Sequence, residues 1–234
     1  MKKFFEERFD LKYIREKAKA IDYNIMRTFP KSHTEDYRHR AVWLWYPFYA
    51  LGGVTIVCFL ILLITGIILT FYYIPSVQGE PSEAYESVNY IMTEVPFGYI
   101  IRAVHHWAAH LMIASAFLHM LRVYFTKAYT KPREINWVLG LNMLLITLFL
   151  GYTGYILPWD QLSYWAGKIG QEILLSVPIF GEIFSNLFYG GIDMSQKTLS
   201  RFYALHIYLL PMLLTVLILV HCVIVWLQGI AEPH

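Results

Sequence analysis

Residues 98–125 read GYIIRAVHHWAAHLMIASAFLHMLRVYF. The stretch is long and apolar enough to cross a bilayer as a helix. It nevertheless carries four histidines and two arginines. Ionisable groups at membrane depth are costly and mark functional positions. His105 and His119 are fourteen positions apart. At about 1.5 Å and 100° per residue, they lie ~21 Å apart along one face, within about 40° of each other.

The pattern recurs in residues 201–228, RFYALHIYLLPMLLTVLILVHCVIVWLQ, where His206 and His221 are fifteen apart. Pro211 lies between them and predicts a kink that absorbs the extra residue. Two helices with an upper and a lower histidine at matched depths can hold two metal centres stacked across a membrane. Neutral imidazole is a common metal ligand. Two axial histidines complete the coordination of a haem iron.

The remaining composition agrees. Of 234 residues, 57% are hydrophobic and 15% charged, with a mean hydropathy of +0.44. These values indicate a polytopic membrane protein rather than a soluble domain. Cys58 and Cys222 sit in apolar stretches without a CxxC or CxxCH motif, and read as small buried hydrophobes. The first apolar run begins after about forty polar residues, which does not resemble a cleavable signal peptide.

In chain order, residues 1–30 are basic, with Phe5, Phe9, Tyr13, Ile14, Ile21, Ile25 and Phe29 at helical spacing. They read either as an amphipathic helix on the membrane surface or as a solvated arm against a partner. The expected spans are 48–74, 98–125, 137–157 and 201–228. Residues 75–96 read as an acidic loop, and 126–136 as a short basic one. Residues 158–200 form a long connection with amphipathic pieces at 160–175 and 179–187, and so long a connection is usually functional. The fold class is therefore an all-α membrane protein, a four-helix bundle preceded by a surface segment. Residues 1–45 form the N-terminal part and 46–230 the bundle.

Charge sets the topology. The first 46 residues hold eleven Lys and Arg, and residues 75–96 hold none. The positive-inside rule places both termini on the cytoplasmic side. Spans two and four then run in the same direction, so His105 pairs with His206 in the outer half and His119 with His221 in the inner half. Spans one and three repeat the interval: Gly52 and Gly66 are fourteen apart, as are Gly140 and Gly154. Glycines at these depths suggest a flat, bulky group against each backbone, beside the plainer reading of small-residue helix packing. Arg102 precedes His105 by one turn and Arg122 follows His119 by one turn. Both are placed to pair with anionic propionates, although Arg122 at the inner end also fits simple snorkelling.

Arg102, His105 and His119, the stretch LPWDQLSYWAGK (157–168), and TLSRFYALHIYLLP (198–211) with a histidine fifteen after the first, together resemble cytochrome b. So do YALGG, TGIILTFYY, YIMTEVPFG, KPREINWV and QGIAEP. The similarity runs from about Tyr46 to Pro233, and the fifteen-residue interval resembles the short, split form of the family. The resemblance implies a dihaem subunit of a bc1- or b6f-type complex in a bacterial inner membrane. Electrons would pass from quinol at the outer face, through an outer and an inner haem b, to quinone at the inner face. Implied partners are a separate subunit IV, a Rieske iron–sulfur protein, a c-type cytochrome, membrane lipid and a second copy of the complex, with no nucleic acid.

By the same resemblance, His105 and His206 ligate the outer haem and His119 and His221 the inner one. Arg102, Arg122 and Arg201 match the family's arginines at the haem edges and at the start of the last span. Tyr155, Pro158, Trp159, Asp160 and Trp165 match one wall of the quinol-oxidation pocket. Three departures stand out. Ala50 occupies the position where the photosynthetic form attaches a third, c-type haem through cysteine, so no thioether-linked haem is expected. Trp226 and Leu227 replace a usually basic inner end. His106 stands where the photosynthetic form has arginine. These point to a respiratory relative. His106 and His110 face away from the ligand stripe and read as proton carriers, partner contacts or simple hydrogen-bonding groups. Rival readings are a dihaem anchor of another quinone-linked enzyme and a histidine relay for protons or metal ions. The mostly apolar intervals between the paired histidines disfavour the relay.

Overall fold

The computed structural model describes Phe48 and residues 50–229. The expected surface helix and the boundary at residue 45 lie outside the described residues. Among the described residues all regular structure is helical. The elements are α1 (Leu51–Thr70), α2 (Glu83–Thr93), α3 (Gly98–Phe125), α4 (Glu134–Ile156), α5 (Gln161–Leu175), α6 (Gly181–Phe188), α7 (Gln196–Ala204), a π-helical turn (Leu205–Leu209) and α8 (Leu210–Gln228). Helices α1, α3 and α4, and the continuous rod from Gln196 to Gln228, are long and apolar enough to span a membrane. Helix α1 packs along α3, α4 along α8, and α3 against α4 joins the two pairs.

Helix ends follow local chemistry. Helix α1 stops at Thr70, earlier than hydropathy alone predicts. Phe71–Tyr73 close as a turn, and Ile74 precedes Pro75, a position that disfavours the helical region. The acidic segment after it is not a plain loop. Ser82 caps α2 by accepting the Tyr85 N–H, and Glu83 and Glu86 occupy its positive first turn. Between α2 and α3 the chain reverses at Phe97, which has φ 61°. The following residue must be glycine, because a Cβ on Gly98 would overlap the Ile91 carbonyl. Asp160 Oδ1 accepts the Ser163 N–H at 2.8 Å and starts α5. A capping box between Ser195 and Thr198 starts α7, so the last rod begins five residues before Arg201.

The connections between the spans are tied together by polar groups, some of them buried. Gln171 donates to Gly191 O at 2.9 Å, and Ser185 Oγ donates to the same carbonyl at 2.7 Å. Tyr73 donates to Leu157 O at 2.6 Å. Gln196 bridges to Pro75 O and to the Val77 N–H, each at 2.8 Å. At the tip of the connection, Lys168 pairs with Glu172 at 3.1 Å, and the hydrogen bond to Glu172 is the main effect raising its ammonium above the usual range. At the inner end, Gln228 donates to Pro132 O at 2.9 Å and ties α8 to the basic loop.

The bundle's central core is Cys58, Phe59, Met112 and Leu214, with Leu62, Leu63, Met143, Ile146, Leu150 and Ile218 packed around them. These residues occupy the middle of every span. Met112 is midway between His105 and His119. Leu214 lies about midway between His206 and His221. The core is thus a mostly apolar plug between two tiers of histidines, named outer and inner after the sidedness expected from the charge pattern.

Candidate functional site

In the outer tier, the His105 and His206 rings face each other with centroids 6.3 Å apart and planes at 69°. The register that achieves this depends on the π-helical turn at Leu205–Leu209, whose wider loop includes the Leu210 N–H to Leu205 O bond. A π turn inserts one residue without advancing the face, so the fifteen-residue interval behaves like the fourteen-residue one on α3. Pro211 follows at the start of α8. It lacks the N–H that a continuous α-helix would use. The extra residue expected at a proline kink is therefore taken up by a π turn just before Pro211.

Each outer imidazole is held at its Nδ1. His105 Nδ1 lies 2.8 Å from Thr65 Oγ1. His206 Nδ1 lies 3.1 Å from Leu150 O and 3.2 Å from Thr153 Oγ1. Engaging Nδ1 leaves Nε2 as the lone-pair nitrogen. Two metal–imidazole bonds of about 2 Å each fit between rings with this separation.

The inner tier is an open chamber. His119 and His221 line a cavity of about 650 Å³ together with Gly52, Gly140, Arg122 and Arg133. That volume falls within the roughly 300–1,000 Å³ of cofactor pockets. The four glycines sort by tier. A Cβ on Gly66 would lie 3.2 Å from His105 Cε1, and one on Gly154 would lie 2.5 Å from His206 Cε1. On the inner side the corresponding distances are 3.3 Å from Gly52 to His119 and 3.7 Å from Gly140 to His221. The glycines therefore form two sets of two, each beside its own pair of histidines.

Among the described residues no three His, Cys, Asp or Glu side chains converge on a common point. Two histidines alone make a poor metal cage. They suit a metal whose remaining ligands come from a macrocycle, and a haem meets that requirement. The outer separation, the inner chamber and the glycine spacing all fit haem.

The family profile described as "Cytochrome b/b6/petB" matches residues 39–229. The chain belongs to the cytochrome b family. It is a multi-pass membrane subunit of the bc/b6f type of electron-transfer complex. It is 48% identical to a "Cytochrome b6" of Synechococcus sp. (strain WH7803) over 186 residues, which cover 80% of this chain and 84% of the relative. It is 47% identical to a "Cytochrome b6" of Prochlorococcus marinus (strain NATL1A) over the same shares. Among solved structures it is similar to a chain of "Hyperthermophilic respiratory Complex III", with a TM-score of 0.73 and 34% identity. That match covers 80% of this chain, which spans about half (49%) of the complex III chain.

The other expected site residues of this cytochrome b-family chain fall in several places. Arg122 lines the inner chamber. Arg102 Nη1 lies 3.5 Å from the Sδ of Met92 on α2. Arg201 donates to the carbonyls of Asn186 and Leu187, and so closes the negative end of α6 rather than reaching toward His206. Tyr155 and Trp165 are exposed. Trp159, at φ 51°, instead packs against the core of Ile156, Tyr189 and Phe202. Pro158 forms the bend between α4 and the Asp160 cap. His106 and His110 stack at 4.5 Å on the outward face of α3, apart from either tier. Cys58 lies in the central plug and Cys222 lines the inner chamber.

Residue spacing alone missed Thr65, Thr153, Arg133 and Asn136. The two threonines had a signal: each immediately precedes an outer-tier glycine, as Thr65–Gly66 and Thr153–Gly154, whereas leucine precedes both inner ones. Arg133 counted only toward topology, but it lines the chamber with Asn136.

Proposed function

We propose that the chain carries electrons across a bacterial inner membrane between two haem b groups, one held by His105 and His206 and one by His119 and His221. The observation that carries this reading is the stacking of two histidine tiers on either side of a mostly apolar core. When bound, the haems supply reversible one-electron acceptance at two depths. The protein's part is to hold, space and insulate them. The histidines fix their position, the four glycines leave room for a flat macrocycle, and Arg122 offers a cation to a propionate in the inner chamber. Cys58, Phe59, Met112 and Leu214 keep water and proton carriers out of the interval. The polar groups in that interval are few, chiefly Thr55 paired with Ser115 at 2.9 Å and the buried Thr147, which disfavours a relay along the whole span.

The rest of the assignment follows from the family. The outer end of α4 and the start of α5, with Tyr155, Pro158, Trp159, Asp160 and Trp165, form one wall of a quinol-oxidation pocket. The exposure of Tyr155 and Trp165 supports this. Arg102 and Arg201 are assigned to the outer haem's edge, Arg201 through the helix end that it closes. The partners are a separate subunit IV, a Rieske protein and a c-type cytochrome in a dimeric complex. Residues 46–230 form the haem-binding domain, both termini face the cytoplasm, and no thioether-linked haem is present, because Ala50 lacks a thiol.

The test is the pyridine-haemochrome spectrum of the purified complex before and after acid–acetone extraction. Two extractable b haems per copy of this chain are expected. Any other number, or a haem that resists extraction, overturns the assignment.

A further inference from the structure

The chain turns from α4 into α5 at residues 157–160, and that bend sets how the quinol wall stands. Pro158 carries no N–H, so the carbonyls ending α4 need other donors. Gly154 O accepts from the Leu157 N–H at 3.4 Å, and Ile156 O from the Trp159 N–H at 3.1 Å. Leu157 O accepts from a donor 84 positions away, the Tyr73 hydroxyl, at 2.6 Å. The Leu157–Pro158 peptide is planar. A bond that holds its carbonyl therefore also fixes the direction in which the chain leaves α4. Trp159 then takes φ 51°, a costly backbone for an aromatic residue that persists only where its surroundings hold it. Asp160 caps α5 immediately afterwards.

Tyr73 is itself held from two sides. Its ring packs on Tyr203 with centroids 5.5 Å apart, three residues before His206. The segment that follows it is tied at successive points. The Ile74 N–H donates to Ser87 Oγ at 3.1 Å. Pro75 O and the Val77 N–H both bond the Gln196 side chain, each at 2.8 Å. The hydroxyl is thus presented to Leu157 from a rigid support, as a supporting shell around a site requires. We propose that Tyr73 is a positioning residue for quinol oxidation. Its hydroxyl locks the α4–α5 bend and so fixes the spacing between Tyr155, on the last turn of α4, and Trp165, on α5. It acts through the Leu157 carbonyl, and the aromatic groups beyond the bend meet the quinol. The inference rests on the quinol-pocket reading given above.

The experiment compares Tyr73→Phe with wild type in the whole complex. Phenylalanine keeps the ring and its contact with Tyr203, and removes only the hydroxyl. Three quantities are read: b haems per chain, the thermal midpoint, and kcat and KM for quinol-dependent reduction of a soluble c-type cytochrome. Decyl-substituted benzoquinol and naphthoquinol are the probes. Tyr73→Phe is expected to keep both haems and kcat while KM rises about fivefold, the scale of one lost hydrogen bond expressed as binding. A wild-type KM in the variant overturns the inference. If the thermal midpoint falls at that unchanged KM, the hydroxyl serves the fold alone. If Tyr73→Phe does not assemble, Gln196→Leu decides. That variant leaves the hydroxyl in place but frees Pro75 and Val77, so KM should rise in the same direction, and a wild-type KM again overturns the inference. A wild-type complex that holds two b haems but oxidises neither quinol would instead refute the underlying quinol-pocket reading.

Discussion

Gly154 and His206 are in contact so close that a single methyl on the glycine would sit 2.5 Å from Cε1 and 3.0 Å from Nε2 of the imidazole. Gly140 is more relaxed, with 3.7 Å to His221. Replacing Gly154 by alanine must push the ring off its axis, since real carbon contacts do not close to that distance. Overpacking of this kind costs typically about 1–3 kcal/mol. Gly154→Ala is expected to lose the outer haem, while Gly140→Ala keeps both. Haem-to-chain ratios of the two purified variants check this, and equal ratios would refute the tier-specific contact.

The pairing by depth makes a second prediction. His119 shares the inner chamber with His221, and His105 faces His206 across 6.3 Å. His119→Leu and His221→Leu should therefore produce the same phenotype, one b haem with the outer optical component intact. His105→Leu and His206→Leu should leave the complementary component. A reduced-minus-oxidised spectrum resolves the two. Loss of different components within one pair would break the assignment.

Asp160 has a structural role that can be separated from any part in quinol chemistry. Its carboxylate caps α5 through the Ser163 N–H. Alanine removes the cap and should cost about 1 kcal/mol, whereas asparagine caps as well as aspartate. The thermal midpoint should thus fall in Asp160→Ala and hold in Asp160→Asn. If quinol oxidation falls in Asp160→Asn at unchanged stability, the charge itself serves the reaction. If both variants lose stability alike, capping is not the residue's contribution.

The sequence displayed the bundle plainly because its spans are long, apolar and separated by charge. It displayed the ligand histidines because ionisable groups are rare at such depth. Other features depend on contacts between segments distant in sequence. Thr65 meets His105 forty residues away, and Gln196 reaches the carbonyl of Pro75 across 121 positions. No local pattern announces either pair. Arg201 shows the converse. It was singled out only by resemblance, and the bonds it makes to the carbonyls ending α6 could not be read from the sequence. The helix at Glu83–Thr93 was hidden by its shortness and mixed polarity, and it becomes legible once Ser82 is read as its cap.

The π turn at Leu205–Leu209 makes the last prediction. If its purpose is to absorb one residue, removing one residue there should be tolerated. Tyr208 is suited to deletion because its side chain is largely exposed, at 66%. The shortened helix would carry fourteen residues between its histidines, the interval that α3 already uses without a π turn. The rod could then close as a regular α-helix with His206 still facing His105. Deleting Tyr208 is expected to retain both b haems. Deleting Val216, in the regular part of α8, turns His221 by about 100° relative to His206 and should cost one haem. If the Tyr208 deletion loses haem as readily as the Val216 deletion, the π turn is not a register device and its widened loop serves the site in some other way.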